Sequence, residues 1–151
     1  MLSMKTRYAI KALLSLANEP TREPVLIAEL AEKENIPKKF LELILLDLKA
    51  MGILGSRKGK GGGYFLRLEP RQVTIGSIVR GIEGPLALLQ CVSQTRYQRC
   101  ADCPDEKLCG MRMVFRDVRE ATSKILDNTS LADVLTRVDQ AAVNPELMFH
   151  I

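Results

Sequence analysis

Histidine is almost missing from this chain of 151 residues: its one copy is His150, next to the last position. No histidine therefore stands near a cysteine or a serine, and no pair of carboxylates stands out, so the sequence offers no constellation for nucleophilic or general acid–base catalysis. His150, at an end expected to fray, is a poor candidate for a metal ligand. Long apolar runs are missing too. The first residues, Met1 to Arg7, contain no apolar core of a leader, and no stretch is long enough to cross a bilayer. This leads us to expect a cytoplasmic protein with no membrane partner. The glycine-rich stretch from Gly55 to Gly63 is not a nucleotide loop. Lys60 is followed by Gly61 where a phosphate-binding loop needs Ser or Thr, and Tyr64 stands where a dinucleotide loop needs its last glycine. Internal repeats and low-complexity tracts are absent as well.

What is present is ordinary globular material, 46% hydrophobic and 26% charged, enough for one core. The net charge of +4 is modest, but its placement is uneven. Between Ile36 and Arg67 stand seven basic residues (Lys38, Lys39, Lys49, Arg57, Lys58, Lys60 and Arg67) against Glu42 and Asp47, so this stretch carries more positive charge than the whole chain. A local basic patch is the footprint expected for a phosphate backbone.

Apolar spacing predicts a helix from about Ser3 to Ala17, a short one from Leu26 to Glu34, and a third from Pro37 to Met51. Pro37 suits the first turn of the third helix, and Gly52 its end. Two helices joined by a tight turn, the second opening on Lys38-Lys39, form a helix-turn-helix. Ile53-Leu54 and Tyr64 to Leu68 then read as short strands around the hairpin of Arg57, Lys58, Lys60, Gly61 and Gly62, a basic wing. A further helix is expected from Thr74 to Gly81. After Gly84-Pro85 the character changes, and Cys91 to Gly110 reads as a polar, cysteine-rich loop. From Met111 a long stripe of Met111, Val114, Phe115, Val118, Ala121, Ile125 and Leu126 begins. Only the segment Leu131 to Leu135, capped by Ser130 and Asp133, follows it, so the stripe is expected to find a second copy of the chain. The expected fold class is mainly α with a small β-hairpin wing: a winged helix-turn-helix with a long C-terminal dimerisation helix. The expected division is a DNA-binding domain over 1–83, a sensor loop over 84–110, dimerisation helices over 111–137 and a flexible tail over 138–151.

The candidate DNA-binding residues are Lys38, Lys39 and Glu42 at the start of the recognition helix, with Arg57, Lys58, Lys60, Gly61 and Gly62 in the wing. Lysine donates to guanine or phosphate, and Glu42 can accept from cytosine. Leu43, Ile44 and Leu45 offer nothing polar to a groove and are expected to be core. The candidate dimer residues are Met111, Val114, Phe115, Val118 and Ile125. All four cysteines, Cys91, Cys100, Cys103 and Cys109, fall within 19 residues in the pattern C-x8-C-x2-C-x5-C. In a reducing compartment this clustering points to metal coordination or a thiol switch before disulfides. An iron–sulfur cluster tolerates such irregular spacing. Zinc would accept the four thiolates but lacks a second C-x2-C pair. In a metal-free switch, Arg96, Arg99 and Lys107 are expected to lower thiol pKa values and favour oxidation or persulfide chemistry. A protein-interaction module stabilised by zinc, with an incidental basic face, is the reading of a different class; it would show no salt-dependent DNA binding.

Tyr8-Ala9, Ile36-Pro37 with Phe40-Leu41-Glu42, Gly61-Gly62-Gly63-Tyr64, Cys91 with Cys103-x5-Cys109, and Thr129 to Leu135 together resemble the Rrf2 family of winged-helix transcriptional regulators. The resemblance extends to about residue 137. It implies a homodimer that binds a DNA operator, often as a repressor, with a [2Fe-2S] or [4Fe-4S] cluster on the cysteines matching Cys91, Cys103 and Cys109. The chain departs from the pattern in a longer loop that adds Cys100. It also departs at Arg112, where some cluster-binding members carry histidine, so Cys100 is the implied fourth ligand. Some members hold no cluster and respond through cysteine chemistry.

Overall fold

The computed structural model describes residues 2–143, as six helices and one two-stranded sheet. Helix α1 (Met4–Ala17) starts where the Ser3 hydroxyl accepts the Thr6 N–H at 3.2 Å. Its Ala9, Ala12, Leu13 and Leu16 are buried, and it touches α2, α3, α4, α6 and the wing, so the domain is built around it. Helix α2 (Ile27–Glu34) ends on Asn35, whose φ of 52° turns the chain left-handed. That single αL residue makes the tight turn into α3 (Lys38–Ala50). Pro37 is the residue before the helix rather than its first. Fully buried Leu13, Leu30, Leu41, Ile44, Leu45 and Leu48 lock α1, α2 and α3 together, and truncating any one to alanine leaves a cavity costing about 2–5 kcal/mol.

The wing is an antiparallel pair, β1 (Leu54–Arg57) and β2 (Gly63–Leu66), in the register Leu54↔Leu66 to Arg57↔Gly63. Both strands begin one residue to either side of the expected positions. Burial of Leu54 and Leu66 anchors the hairpin root, and the strands stop where Lys58 to Gly61 turn into solvent. A single bridge between Val25 and Tyr64 (both N–O distances 2.9 Å) ties the wing to the residues before α2. Gly63 has a φ of 143°, and a Cβ there would strike the Val25 carbonyl, so this joint needs glycine.

Thr74 caps α4 (Ile75–Glu83), which runs two residues past the expected end at Gly81. Its last carboxylate closes the domain. Glu83 Oε1 accepts the Ser3 N–H at 2.7 Å and the Thr6 hydroxyl at 2.6 Å, and these hydrogen bonds hold its pKa at about 2. A folded-state pKa below the unfolded one stabilises the fold above the ordinary carboxylate range, and this contribution fades as the pH falls towards 2. Glu83→Gln is therefore expected to lower the unfolding midpoint at pH 7. The gap to the native chain should close between about pH 4.5 and 2, followed by urea unfolding across that range. A gap independent of pH would contradict the assignment.

The remaining elements are a 3₁₀ turn at Gln90–Val92, helix α5 (Gly110–Asp127) and helix α6 (Leu131–Val143). The Ser130–Asp133 capping box forms as expected, with Ser130 N–H donating to Asp133 at 2.8 Å and Asp133 N–H to the Ser130 hydroxyl at 3.2 Å. The helix it opens does not stop at Leu135. Val134, Val138 and Ala141 extend the helical spacing to Val143, so residues 138–143 are helix rather than tail. Residues 144–151, His150 among them, lie outside the described part. Among the described residues no helix is long and apolar enough to cross a membrane.

Candidate functional site

Two sites emerge, one on each half of the chain. On the first half, the start of α3 and the wing share a groove of about 550 Å³. Lys38, Glu42 and Lys49 line it from the helix, and Arg57 and Lys58 from the hairpin. The juxtaposition has a local cause: Lys49 Nζ donates to the Ser56 hydroxyl at 2.7 Å, fastening the end of α3 to β1. Arg57 lies 3.7 Å from Glu23, an exposed pair that binds it weakly. Among the described residues, no ion pair forms at Lys38, Lys39, Lys49, Lys58 or Lys60, so their charge is not neutralised within the fold. Asp47, the acid on the back of α3, is occupied by Lys5 at 2.5 Å.

Lys39 is exposed beside the groove rather than in it, and Lys60 and Gly61 sit exposed at the wing tip. Gly62 does something other than expected. It is buried, its N–H donates to the Gly59 carbonyl at 3.0 Å, and a Cβ there would strike the Arg57 carbonyl. Its amide closes the turn and is spent there, so Gly62 shapes the wing. The expectation that Leu43 is core is also overturned. Ile44 and Leu45 are fully buried, but Leu43 is 59% exposed because three consecutive helical residues cannot share one face. Leu46, which sequence reading passed over, is 54% exposed.

On the second half, all four cysteines line one cavity of about 560 Å³, with Leu89, Leu108 and Met111. Every cysteine is a free thiol; Cys91 is buried, Cys103 and Cys109 are partly covered, and Cys100 is exposed. Cys91 sits in the 3₁₀ turn, and Cys109 caps α5, its sulfur accepting the Arg112 N–H at 3.5 Å. Arg112 also donates through Nε to the Cys91 carbonyl at 3.1 Å, so one residue, by its backbone and its side chain, links the two ends of the cysteine segment. Three hydrogen bonds brace the loop: Tyr97 to Glu106, and Arg99 to the Cys103 and Pro104 carbonyls at 3.2 and 3.3 Å.

The expected lowering of thiol pKa values is not found at Cys103. Desolvation, then its hydrogen bond with Cys109 and the neighbouring Glu106 and cysteines, push its thiol above the ordinary range. Arg99 fails to offset this because its guanidinium faces carbonyls, not sulfur. Among the described residues, no three Cys, His, Asp or Glu side chains converge closely enough to hold one ion. The four thiols lining one cavity are donors of the kind that zinc and iron–sulfur clusters both take, and either group would have to draw them closer together.

Helix α5 joins the two halves. None of its residues is fully buried. Asp127 makes a bidentate pair with Arg80 of α4, whose guanidinium also reaches the Ser123 hydroxyl at 3.4 Å. Across the helix, Met111 (62%), Val114 (59%), Val118 (40%) and Ile125 (62%) stand exposed in a row. Phe115 departs from that row. It is half-buried, because it lies on the same side of the helix as Arg112, which is bonded to the 3₁₀ turn.

Comparison with known proteins places this architecture. The Rrf2 family profile, described as "Iron-dependent Transcriptional regulator", matches residues 2–137. The chain is 43% identical over 145 residues to an rrf2-like HTH-type transcriptional regulator of Rhodobacter capsulatus, covering 94% of this chain and 97% of that one. To the HTH-type transcriptional regulator IscR of Vibrio parahaemolyticus it is 29% identical, covering 89% of this chain and 77% of the other. Among solved structures, CymR, the global cysteine regulator of B. subtilis, superposes with a TM-score of 0.76 at 28% identity, covering 91% of this chain and 97% of CymR. IscR of T. potens superposes with a TM-score of 0.74 at 26% identity, covering 93% and 90%. The helix-turn-helix, the basic hairpin and the long helix behind the cysteines are thus the parts of a winged-helix regulator, and the chain belongs to the Rrf2 family of transcriptional regulators.

Proposed function

We propose that the protein is a homodimeric operator-binding regulator whose DNA affinity is set by an iron–sulfur cluster held on Cys91, Cys100, Cys103 and Cys109. The observation that carries the cluster reading is the shared cavity: four thiols that differ in burial line one space. The names of the family and of its IscR relatives support it. A bound cluster supplies reversible electron or ligand chemistry that answers to oxygen, nitric oxide or iron supply. The chain's own residues do the rest. Lys38, Lys39 and Glu42 address the major groove, and Arg57, Lys58 and Lys60 take phosphates or enter the minor groove.

The path between the two sites is physical. Arg112 reads the position of Cys91 and Cys109, α5 carries any shift to Asp127, and Asp127 holds Arg80 of α4 within the winged helix. On a twofold dimer, a small rotation of α5 changes the separation of the two recognition helices, and with it the fit to half-sites one turn apart. A cluster-free thiol switch is the second reading, and the exposed thiol of Cys100 favours it.

Lys38→Ala and Arg57→Ala test the DNA face. Each side chain is exposed in the groove, so neither substitution disturbs the core. In gel shifts at fixed salt, each is expected to weaken operator binding, by about 1–3 kcal/mol where the side chain reads a base. Affinities equal to the native chain's would move the interface elsewhere.

A further inference from the structure

Phosphate binding accounts for the lysines of α3 but not for its crest. Helical spacing sets Lys39, Leu43, Leu46 and Ala50 along one line, with Lys38, Glu42 and Lys49 along the next and the buried Leu41, Ile44, Leu45 and Leu48 behind. The outermost line of the helix thus presents two leucines, 59% and 54% exposed. A single exposed leucine is ordinary on any protein. Two of them, one turn apart, on a helix edged by lysines that no acid neutralises, face a partner that is anionic at its rim and apolar at its centre.

The major groove has that character. Its walls are phosphates, its floor admits an α-helix, and the one apolar group it displays is the C5 methyl of thymine. We propose that Leu43 and Leu46 are specificity-determining residues that pack on thymine methyls, so that the operator carries A·T pairs where the middle of α3 crosses it. This rests on the DNA-binding reading above and adds a sequence preference to it. Lys38, Lys39 and Lys49 set the helix in the groove, and the leucines select among the sequences that the lysines would hold equally well.

Uracil in place of thymine removes the methyl and leaves the hydrogen-bonding edge of the base intact, which makes it the probe. Operator duplexes are first selected from a random pool with the full-length protein purified anaerobically. Each thymine of the selected half-site is then replaced by deoxyuridine, and Kd is measured by fluorescence anisotropy. For the native chain, uracil at the positions facing the leucines is expected to weaken binding about fourfold per methyl, the effect of exposing one methyl-sized group. The Leu43→Ala, Leu46→Ala double variant should lose that penalty. Both positions are exposed, so its circular dichroism should be unchanged. A Lys58→Ala variant should bind more weakly overall yet keep the uracil penalty. The proposal is overturned by selected sites without A·T pairs opposite α3, by a native chain indifferent to uracil, as expected if the crest serves a protein partner, or by an undiminished penalty in the double variant. In each of those outcomes salt-dependent duplex binding persists and the DNA-binding reading stands. If no duplex is bound at all, both fall.

Discussion

Cys103→Ala is expected to abolish the visible absorbance of the anaerobically purified protein and nearly all of its bound iron and sulfide. Cys103 is a partly covered thiol beside Cys109 in the shared cavity, intermediate in exposure between the buried Cys91 and the exposed Cys100. Thiolates are the ligands of such clusters, and the loss of one of a set of four would leave an iron open to solvent. The fold should survive, because the cysteine segment lies outside the core formed by α1, α2, α3 and the wing. Cys100→Ala should act more mildly, shortening the lifetime of the colour in air, since an exposed thiol is the one that water or a small thiol can replace. Iron, sulfide and absorbance are measured together on the same preparations. A colourless native protein carrying one zinc per chain would contradict the cluster. Unaltered iron in the Cys103 variant would contradict the ligand set.

The second large effect is expected at the exposed row of α5. Val118→Asp places a charge in the middle of Met111, Val114, Val118 and Ile125, a row that is not buried within its own chain. If two copies pack these rows together, the aspartate must be buried unpaired, and the dimer gives way to a monomer. Half-sites held by separate chains lose the advantage of tethering, a fall of about 10²- to 10⁴-fold in operator affinity. Light scattering of the native and variant chains, with Kd for a full operator, reads both consequences. A native monomer, or a Val118→Asp chain that binds the operator as tightly as the native one, would contradict the dimer.

Elements governed by local patterning were legible in the sequence. The stripe of α3, the tight turn between α2 and α3, the glycine hairpin and the Ser130–Asp133 cap each depend on residues within a few positions of one another. What sequence reading missed has two sources. The first is long range. Glu83 meets Ser3 and Thr6 across 80 and 77 positions, and Arg80 meets Asp127 across 47, and no period encodes such pairs. The second is the habit of assigning apolar residues to the core. Leu43 and Leu46 belong to the same apolar run as Ile44 and Leu45, and only a strict helical count turns them outward. The cysteine site was legible as a cluster of ligands. The raised thiol pKa of Cys103 was not, since it comes from desolvation in the folded loop and from the hydrogen bond with Cys109, while Arg99 turns to carbonyls instead of sulfur. The extension of α6 to Val143 escaped for a milder reason: the short run Leu131 to Leu135 looks finished by itself, and Val138 and Ala141 add one apolar residue per turn.

Lys38, Lys49, Arg57 and Lys58 converge on one groove, and a salt series tests most directly whether that groove grips DNA. The affinity of the native protein for its operator should fall linearly on a plot of log K against log salt, with a slope of about −0.9 for each phosphate neutralised. Removing the wing charges together, Arg57, Lys58 and Lys60 to alanine, should flatten that slope by about one for each phosphate no longer held. An affinity indifferent to salt, or a wing variant with the native slope, would contradict it.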